Sequence, residues 1–376
     1  MAAITTAIPN HQPDPNSQIS RQEEVKKFDE SKIGVKGLVD RGVTSIPAFF
    51  VHPNPPDRSS HHSNPTPDFA DSGPTPKIPL IDFSSPRSTI VDQVREAASK
   101  FGFFQIINHS VPPSSIKKIL TAIKEFFELP ESVKMEYYSR EFTKGAVYST
   151  NFDLYQSKAA SWRDTLQMGL SPNMADPENV PPPCRETVPE WDKEVVKISE
   201  EVLDILFEGL GLEDGLNKLK EMTCLDGRVM AAHYYPYCPQ PELTAGLTSH
   251  TDPGLLTVLV QNQVPGLQVK VGDKWVDLEP VEGGIIINIG DNLQIMSNDE
   301  YISVEHRVLA NPLRESRVSA AVFLKPSRRD LLCGPFPELT SAEKPARFRQ
   351  FTLADYMTRF FSKELDGKTL VNYYRA

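Results

Sequence analysis

The sequence predicts a mainly β protein with helical support, in which α-helices pack on a double-sheet, jelly-roll core. Two residue patterns, one in each part of the chain, predict this class. Before about residue 225 apolar residues recur at helical spacing, whereas from Val229 onward short β-branched or aromatic runs alternate with turn residues. This cadence favours antiparallel sheets over alternating βαβ units. The runs are HYYPY, LLTVLVQN, GLQVKV, KWVDL, GIIINIG, LQIMS, ISVEHRV and RVSAAVFL.

The first half of the chain supplies most of the predicted helices and two early strands. IPLIDF, which begins at Ile78, is typical of a buried strand, and FFQIIN of a second. Near the C-terminus TLADYMTRFFSKEL predicts a helix with Thr352 as its N-cap and Gly367 just beyond its end. Helical spacing predicts further helices in STIVDQVREAASKFG, SSIKKILTAIKEFFELP, KEVVKISEEVLDILFEGL and EDGLNKLKEM.

Composition divides the chain into five segments. Residues 1–30 are predicted to be disordered, and residues 31–77 to form an arm followed by a linker rich in proline, serine and aspartate. The arm at 31–52 has enough apolar side chains to be ordered and packed on the body. Beyond the linker we predict a helical and strand support region at 78–225, a jelly-roll core at 226–330 and a C-terminal segment with a helix at 331–376.

Charge and cysteine content exclude several classes of protein. The net charge is −10 and the basic residues are scattered, so neither nucleic acid nor an anionic membrane surface is an expected partner. The four cysteines form no CxxC pair, which argues against a zinc or disulfide scaffold and suits a reducing compartment. No apolar run approaches the roughly 18 residues of a membrane helix. The opening MAAITTAIPNHQPDPN has no features of a signal or transit peptide. We therefore expect a cytoplasmic monomer.

A candidate metal site comes from three residues of the β region. In His250-Thr251-Asp252, alternate residues of a strand can direct an imidazole and a carboxylate to one ion. Alone this pattern more often marks a turn or a salt bridge, and a single buried histidine such as His306 is more often satisfied by core hydrogen bonds. Together, two imidazoles and one carboxylate make the facial triad of non-haem Fe(II), whereas zinc prefers a tetrahedral site, often with thiolate.

A candidate carboxylate site follows on the next predicted strand, in Arg317-Val318-Ser319. This spacing directs the guanidinium and the hydroxyl to the same side, where they offer bidentate binding and one further donor. The pattern means little alone, but beside the triad it supplies what a dicarboxylate cosubstrate needs. Arg314, in the preceding turn NPLRES, is the rival carboxylate binder. We favour Arg317, because a strand holds a guanidinium more rigidly than a turn does.

Longer stretches carry a family resemblance that covers more than four-fifths of the chain. They are FDESKIGVKGLVDRGVTSIP, FGFFQIINHSVP, FDLYQSKAASWRDTL, YYPYCPQPELTAGLTSHTDPGLLTVLVQ, GLQVKVGDKWVDLEP, NIGDNLQIMSND and SVEHRVLAN. In these stretches the chain resembles plant 2-oxoglutarate/Fe(II)-dependent dioxygenases, in particular the 1-aminocyclopropane-1-carboxylate oxidase homologues, a group that includes deacetoxyvindoline 4-hydroxylase. The resemblance implies a distorted double-stranded β-helix (jelly-roll) core flanked by α-helices.

The same resemblance implies roles for individual residues. Its iron ligands fall on His250, Asp252 and His306. Its 2-oxoglutarate contacts fall on Arg317, Ser319 and Tyr235.

Several residues are predicted to contact the substrate, and for some of them a structural role is an open alternative. Phe323 matches an aromatic residue that packs on substrate in related enzymes, and Asn151 and Phe152 either line the pocket or pack in the core. His233 stands where many members have asparagine, so a place in the core or behind the site is an alternative to substrate contact. For Arg163, in Trp162-Arg163-Asp164, we favour a structural ion pair over substrate contact.

These observations predict an Fe(II)/2-oxoglutarate-dependent dioxygenase that oxidises a small specialised metabolite, most simply by hydroxylation. The reaction would consume O2 and release succinate and CO2, with ascorbate supporting activity. One alternative is an ascorbate-dependent oxidase of the 1-aminocyclopropane-1-carboxylate type. It is disfavoured because such oxidases begin almost at the first core strand, whereas 77 residues precede Ile78 here. The other is a non-catalytic jelly-roll binder, which the intact triad and arginine–serine pair disfavour.

Overall fold

The computed structural model describes residues 15–57, 76–142, 145–362 and 369–376, without the side chains of 15–20 and 369. Its helices are α1 (Pro15–Ser31), α2 (Gly34–Asp40), α3 (Arg87–Lys100), α4 (Pro113–Glu128), α5 (Glu131–Glu136), α6 (Thr187–Gly209), α7 (Gly215–Glu221), α8 (Asp291–Met296), α9 (Leu353–Phe361) and α10 (Thr369–Tyr373). Its strands are β1 (Leu80–Asp82), β2 (Phe103–Ile107), β3 (Ala146–Ser149), β4 (Asp164–Ser171), β5 (Gly227–Tyr235), β6 (Ala245–His250), β7 (Leu256–Gln261), β8 (Leu267–Val271), β9 (Lys274–Asp277), β10 (Ile285–Ile289), β11 (His306–Leu309), β12 (Arg317–Lys325), β13 (Leu332–Cys333) and β14 (Phe351–Thr352).

Two sheets form the core of the described residues. The major sheet has the order β1-β2-β10-β7-β12-β5-β4-β3, and only the β1–β2 pair is parallel. The minor sheet has the order β6-β11-β8-β9 and is antiparallel throughout. An apolar cluster with members from both sheets joins them, including Phe103 and Ile286 of the major sheet and Leu247 and Val269 of the minor one. The predicted fold class, helices on a double-sheet jelly roll, is confirmed.

Helices cover the other face of the major sheet. In α4 the residues Ile116, Ile119, Ile123 and Phe126 are buried at helical spacing. They join one large apolar cluster with α3, α6 and the alternate residues of the central strands, such as Val322. The opposite face of the major sheet is therefore the one that meets the minor sheet. None of the described helices is both long and apolar enough to span a bilayer.

The N-terminal arm differs from the prediction of disorder over residues 1–30. Residues 15–31 form α1, in which Val25 and Phe28 are buried against Phe49, Phe50 and Trp162. Only a few apolar residues anchor this polar helix, and their partners are distant in sequence, so local composition did not reveal it. Residues 1–14, and residues 58–75 of the predicted linker, lie outside the described part of the chain.

Helix α2 docks on the body through one buried carboxylate. Asp164 accepts hydrogen bonds from the backbone N–H groups of Val35 and Lys36, both at 2.8 Å, and from the Thr150 hydroxyl at 2.5 Å. The chain enters this contact at Gly34 with φ of +68°, and a Cβ there would lie 2.0 Å from the Tyr148 hydroxyl oxygen. Only glycine combines that dihedral angle with so close an approach.

Two predicted strands are corrected by the structure. LQIMS lies in α8 rather than in a strand, and every residue of α8 is buried. Burial on all sides removes the periodicity that distinguishes a short helix from a strand. ISVEHRV is a strand only from His306 onward. The N-cap predicted at Thr352 is confirmed, since its hydroxyl accepts a hydrogen bond from the N–H of Asp355; Gly367 lies outside the described residues.

A buried carboxylate in α1 ties the arm to the segment around residue 140. Asp29 accepts hydrogen bonds from Arg140 (2.6 and 3.0 Å), Tyr138 (2.5 Å) and Tyr155 (2.8 Å). Burial alone would raise the pKa of the Asp29 carboxyl, but the hydrogen bonds from Arg140 and Tyr138 outweigh it, so the pKa lies below its usual value. The ionised carboxylate therefore stabilises the docked arm.

We expect Asp29→Ala to lower the free energy of unfolding by about 2 kcal/mol or more, because it leaves Arg140 and two tyrosine hydroxyls without their acceptor. The exposed neighbour Glu30 is the control, and Glu30→Ala should change stability by less than about 0.5 kcal/mol. Urea unfolding at neutral pH measures both. Since the folded pKa of Asp29 is lowered, its contribution is complete above about pH 4 and is lost as the pH falls further. The wild type and Asp29→Ala should therefore converge in acid, and a constant difference would contradict this account.

Candidate metal centre and adjoining cavities

Three buried side chains that can bind a metal converge between the two sheets. Asp252 Oδ1 lies 3.6 Å from His250 Nε2 and 3.7 Å from His306 Nε2, and one ligand atom from each residue lies within 4.8 Å of the others. β6 ends at His250 and β11 begins at His306, and the two residues are direct cross-strand partners. Asp252 follows the end of β6, so it lies in the segment between β6 and β7 and not on the strand that the alternation predicted.

Backbone carbonyls set the tautomer of both imidazoles. His250 Nδ1 lies 2.9 Å from the carbonyl oxygen of Thr248, and His306 Nδ1 lies 3.3 Å from that of Val304. A carbonyl only accepts, so each Nδ1 carries the hydrogen and each Nε2 offers its lone pair on the side of Asp252. Burial, with the neighbouring His306, holds the pKa of His250 well below its usual value. Two imidazoles with free Nε2 atoms and one carboxylate fit a divalent cation of the non-haem iron type.

Two residues that sequence reasoning missed orient the carboxylate of Asp252. Its Oδ2 accepts hydrogen bonds from the Thr257 hydroxyl at 2.6 Å and from the Asn288 side-chain amide at 2.5 Å. Thr257 on β7 and Asn288 on β10 are cross-strand partners, and the Asp252 carbonyl also accepts from the Asp291 N–H that opens α8. Oδ1 therefore remains directed at the two imidazoles. In the sequence, Asn288 could have been recognised as a polar residue inside the apolar run GIIINIG.

A first cavity extends from the triad to the arginine–serine pair. It encloses about 470 Å³, including solvent at its mouth, and Arg317, Ser319 and Tyr235 line it together with the triad. Arg317 is 1 % exposed. Its Nη2 donates to the Gln261 side-chain oxygen at 2.5 Å, its Nη1 lies 3.4 Å from the Ser319 hydroxyl, and its guanidinium carbon lies 4.9 Å from the centre of the Tyr235 ring. Among the described residues no carboxylate pairs with it, and its Nε has no acceptor.

Arg314 lies elsewhere. It is exposed, and its guanidinium stacks 4.0 Å above the Tyr237 ring. It lines neither the first cavity nor the one described next. The alternation predicted for β12 is observed, because the residues of this strand that line the first cavity are Arg317, Ser319, Ala321 and Phe323.

A second, larger cavity meets the first at the triad. It encloses about 980 Å³, including open solvent, and five of its lining residues also line the first cavity: His233, Leu247, His250, Asp252 and Phe323. Away from the triad its wall is mainly apolar and includes several phenylalanine rings. Phe152 lies 6.4 Å from Phe360 and 6.1 Å from Phe361 between ring centres, and Arg163 completes one side.

Three of the predicted substrate-contact residues lie at the second cavity, and a fourth does not. Phe323, Phe152 and His233 line the second cavity, and His233 Nδ1 lies 3.0 Å from the Thr165 hydroxyl. Burial, with two nearby arginines, holds the pKa of His233 well below its usual value, so its ring is neutral. Asn151 lines neither cavity, and its side-chain oxygen instead accepts from Arg163 Nη1 at 3.1 Å.

The ion pair expected within Trp162-Arg163-Asp164 is not formed. The Asp164 carboxylate is turned toward α2, as described above, while Arg163 lines the second cavity. Adjacent residues at the start of a strand project to opposite sides, so two neighbouring charges there do not meet.

Comparison with known proteins decides the family. A model of the 2OG-Fe(II) oxygenase superfamily matches residues 227–326, which include the triad and Arg317, and a model of the non-haem dioxygenase in morphine synthesis N-terminal matches residues 78–190. The 1-aminocyclopropane-1-carboxylate oxidase homolog 3 of Arabidopsis thaliana is 41% identical over 366 residues, which cover 94% of this chain and 97% of that protein. This chain belongs to the 2OG-Fe(II) oxygenase superfamily.

Further relatives extend the similarity of this oxygenase. A 1-aminocyclopropane-1-carboxylate oxidase homolog of Solanum lycopersicum is 40% identical and covers 94% of this chain and 97% of its own length. The crystal structure of JOX2 in complex with 2OG, Fe and JA is 31% identical, with a TM-score of 0.79, and covers 92% of this chain and 98% of JOX2. The predicted family, the enzyme class and the use of Fe(II) and 2-oxoglutarate are thereby confirmed, and O2 and ascorbate are typical of the family.

We expect Thr257→Val in this oxygenase to weaken Fe(II) binding about tenfold, because a lost partner of a metal-ligating carboxylate typically costs that much affinity. Anaerobic Fe(II) titration of the purified protein measures it. Thr150→Val is the matched control, since it removes a hydroxyl that donates to a different buried carboxylate, Asp164. The control should leave Fe(II) affinity within about twofold of wild type. Equal losses in the two variants would show that the Thr257 hydroxyl has no specific role.

Proposed function

We propose that this oxygenase uses 2-oxoglutarate to hydroxylate a small specialised metabolite, with iron held by His250, Asp252 and His306. The observation that carries the proposal is that two cavities meet at the triad and that the smaller one ends at a buried guanidinium with no carboxylate partner among the described residues. The smaller cavity offers a site for the cosubstrate, and the larger, aromatic one a site for the metabolite.

The cosubstrate is assigned to the first cavity on grounds of charge. A buried guanidinium is stable only when hydrogen bonds and an opposite charge compensate its lost hydration. Among the described residues the partners of Arg317 are neutral: Gln261 and Ser319 accept or approach its guanidinium, and Tyr235 adds a ring face. This favours a ligand that supplies the negative charge. The far carboxylate of 2-oxoglutarate supplies that charge, while its other end reaches the triad in the same cavity.

In this reaction the residues of the site hold the metal ligands in position and enclose the substrate. Bound Fe(II) supplies the oxidation of an unreactive C–H bond, coupled to the conversion of 2-oxoglutarate and O2 into succinate and CO2. Thr257 and Asn288 hold Asp252 in its liganding orientation, and the carbonyls of Thr248 and Val304 keep both imidazoles in the liganding tautomer. The aromatic wall of the second cavity excludes water and positions the C–H bond.

Two other functions are less well supported. JOX2, which is similar over most of the chain, was crystallised with 2OG and Fe, and this favours 2-oxoglutarate over an ascorbate-dependent oxidase that lacks it. A non-catalytic binder would have no use for a carboxylate held by two hydrogen bonds toward two imidazoles.

Anaerobic addition of 2-oxoglutarate to the Fe(II)-loaded protein tests the proposal. We expect a visible charge-transfer band that neither alternative would give. Asp252→Ala should lose the band and at least about nine-tenths of the succinate formed, because it removes the only anionic ligand. The β core should survive, as judged by circular dichroism. A wild type without the band, or Asp252→Ala with undiminished turnover, would refute the assignment.

The two arginines give a separate test of the cosubstrate site. Arg317→Ala should raise the dissociation constant for 2-oxoglutarate at least about a hundredfold, because an unpaired buried carboxylate costs roughly 3–5 kcal/mol. Arg314→Ala should change it less than about fivefold, since a solvated pair contributes at most about 1 kcal/mol. Titration of the visible band measures both constants. Reversed effects would place the cosubstrate on the turn and not on β12.

A further inference from the structure

We propose that the metabolite is an organic carboxylate, whose anionic group binds Arg163 while its apolar body fills the aromatic part of the second cavity. This inference rests on the proposed function, because it assigns the second cavity to the substrate.

Arg163 is a buried guanidinium whose hydrogen bonds account for only part of its donors. It is 3 % exposed, and its Nη1 donates to the Asn151 side-chain oxygen at 3.1 Å and to the Gly246 carbonyl at 3.5 Å. Its Nε is buried without an acceptor, and the hydrogen bonds that the guanidinium makes within the described residues both come from Nη1. The Nε–Nη2 edge is therefore the part that remains for a ligand, and this edge matches the two oxygens of a carboxylate.

Two other shielded arginines among the described residues are compensated by a carboxylate. Arg140 pairs with Asp29, and Arg228 binds both oxygens of Asp192 at 2.7 and 2.8 Å. Within the described residues Arg163 has no such ion pair and shares this condition with Arg317. Burial lowers the pKa of Arg163 even though the carboxylates of Asp153 and Asp164 lie near enough to raise it. Because a buried charge without a paired carboxylate is unfavourable, each of these two guanidiniums favours an anionic ligand. The carboxylate of the cosubstrate pairs with Arg317, and the carboxylate of the substrate pairs with Arg163.

The residues that line the second cavity indicate the charge and polarity of the rest of the ligand. Asp252 at the triad is the one carboxylate among its described lining residues, and Lys325 is a second cation. The remaining wall is mainly apolar, with Phe152, Phe323 and Phe360 among its rings. An apolar molecule with a single carboxylate matches this lining, whereas a highly charged ligand such as a polyphosphate does not.

The position of Arg163 sets the distance between the anion and the oxidised carbon. Its partner Gly246 lies on β6, the strand that ends at His250. At about 3.3 Å per residue, the guanidinium lies roughly 13 Å or less from the triad along that strand. The oxidised C–H bond therefore lies within roughly 13 Å of the carboxylate.

The guanidinium is held in place before a ligand binds. The preceding residue, Trp162, donates its backbone N–H to the Ala245 carbonyl at 2.7 Å and its indole N–H to the Tyr237 carbonyl at 3.1 Å. The following residue, Asp164, is fixed by α2. This rigidity lowers the ordering cost of binding and gives the arm a part in the geometry of the substrate site.

The test compares carboxylates with their neutral amides. Full-length protein is loaded anaerobically with Fe(II) and saturating 2-oxoglutarate, which occupies the first cavity. 2-Naphthylacetate, 4-(2-naphthyl)butanoate and their carboxamides are then titrated and followed by the visible band and by tryptophan fluorescence. We expect at least one carboxylate to bind about tenfold or more tightly than its amide. In Arg163→Gln this preference should fall below about threefold, with amide affinity nearly unchanged.

Arg140→Gln is the control for a purely structural effect. It also removes a shielded guanidinium, but one that already has its carboxylate, so it should lower the melting temperature and keep the carboxylate preference. Arg163→Gln removes an uncompensated charge and should melt at or above the wild-type temperature without ligand. If Arg163→Gln is destabilised as much as Arg140→Gln and keeps the preference, Arg163 is structural and the inference is overturned.

The two proposals fail in different ways. Absence of the visible band with Fe(II) and 2-oxoglutarate refutes the proposed function before any probe is added. A normal band without a preference for any carboxylate in the series refutes the role of Arg163 and leaves the proposed function intact.

Discussion

Antiparallel backbone pairing decides which side chains face one another between the two sheets, and the site depends on it. The register sets His306 opposite His250, and Thr257 opposite Asn288 beside the carboxylate that both contact. It also sets Arg317 opposite Tyr235 on the major sheet. A shift of β12 by one residue would turn its whole cavity-facing set toward the helices. The hydrogen bonds of the sheet, rather than any contact within the site, therefore define its composition.

The described residues that line the two cavities carry more positive charge than negative charge. Within the part of the chain that the structure describes, Arg317 and Arg163 are buried without a carboxylate in an ion pair, and Asp252 is the only carboxylate that lines either cavity. A metal cation bound at the triad would add to the positive charge. The site is therefore electrostatically incomplete without anionic ligands, and this favours anionic molecules over neutral ones of the same shape.

The sequence predicted those parts of the site that follow from local alternation. The side of β12 that carries Arg317 was predicted, because a short pattern on a strand fixes direction without knowledge of the partner strands. The three residues of the triad were predicted from their ligand chemistry, although Asp252 lies beyond the strand on which the alternation placed it. Thr257 and Gln261 were missed because their roles arise only from cross-strand neighbours. Arg163 was assigned to an ion pair because adjacent charges look paired in sequence, although the start of a strand separates them. Helix α1 was missed because its few apolar residues find partners far along the chain.

The strand order of the major sheet has a consequence for how the chain folds as it is made. β2, at Phe103–Ile107, pairs with β10, at Ile285–Ile289, and β4 pairs with β5, which in turn pairs with β12. At roughly 5–20 residues per second, the ribosome completes β10 and β12 many seconds after β2. The early helices and strands therefore leave the ribosome with their apolar faces uncovered. The sheet closes only after Lys325 at the end of β12 has emerged, so nascent chains depend on protection from aggregation until then.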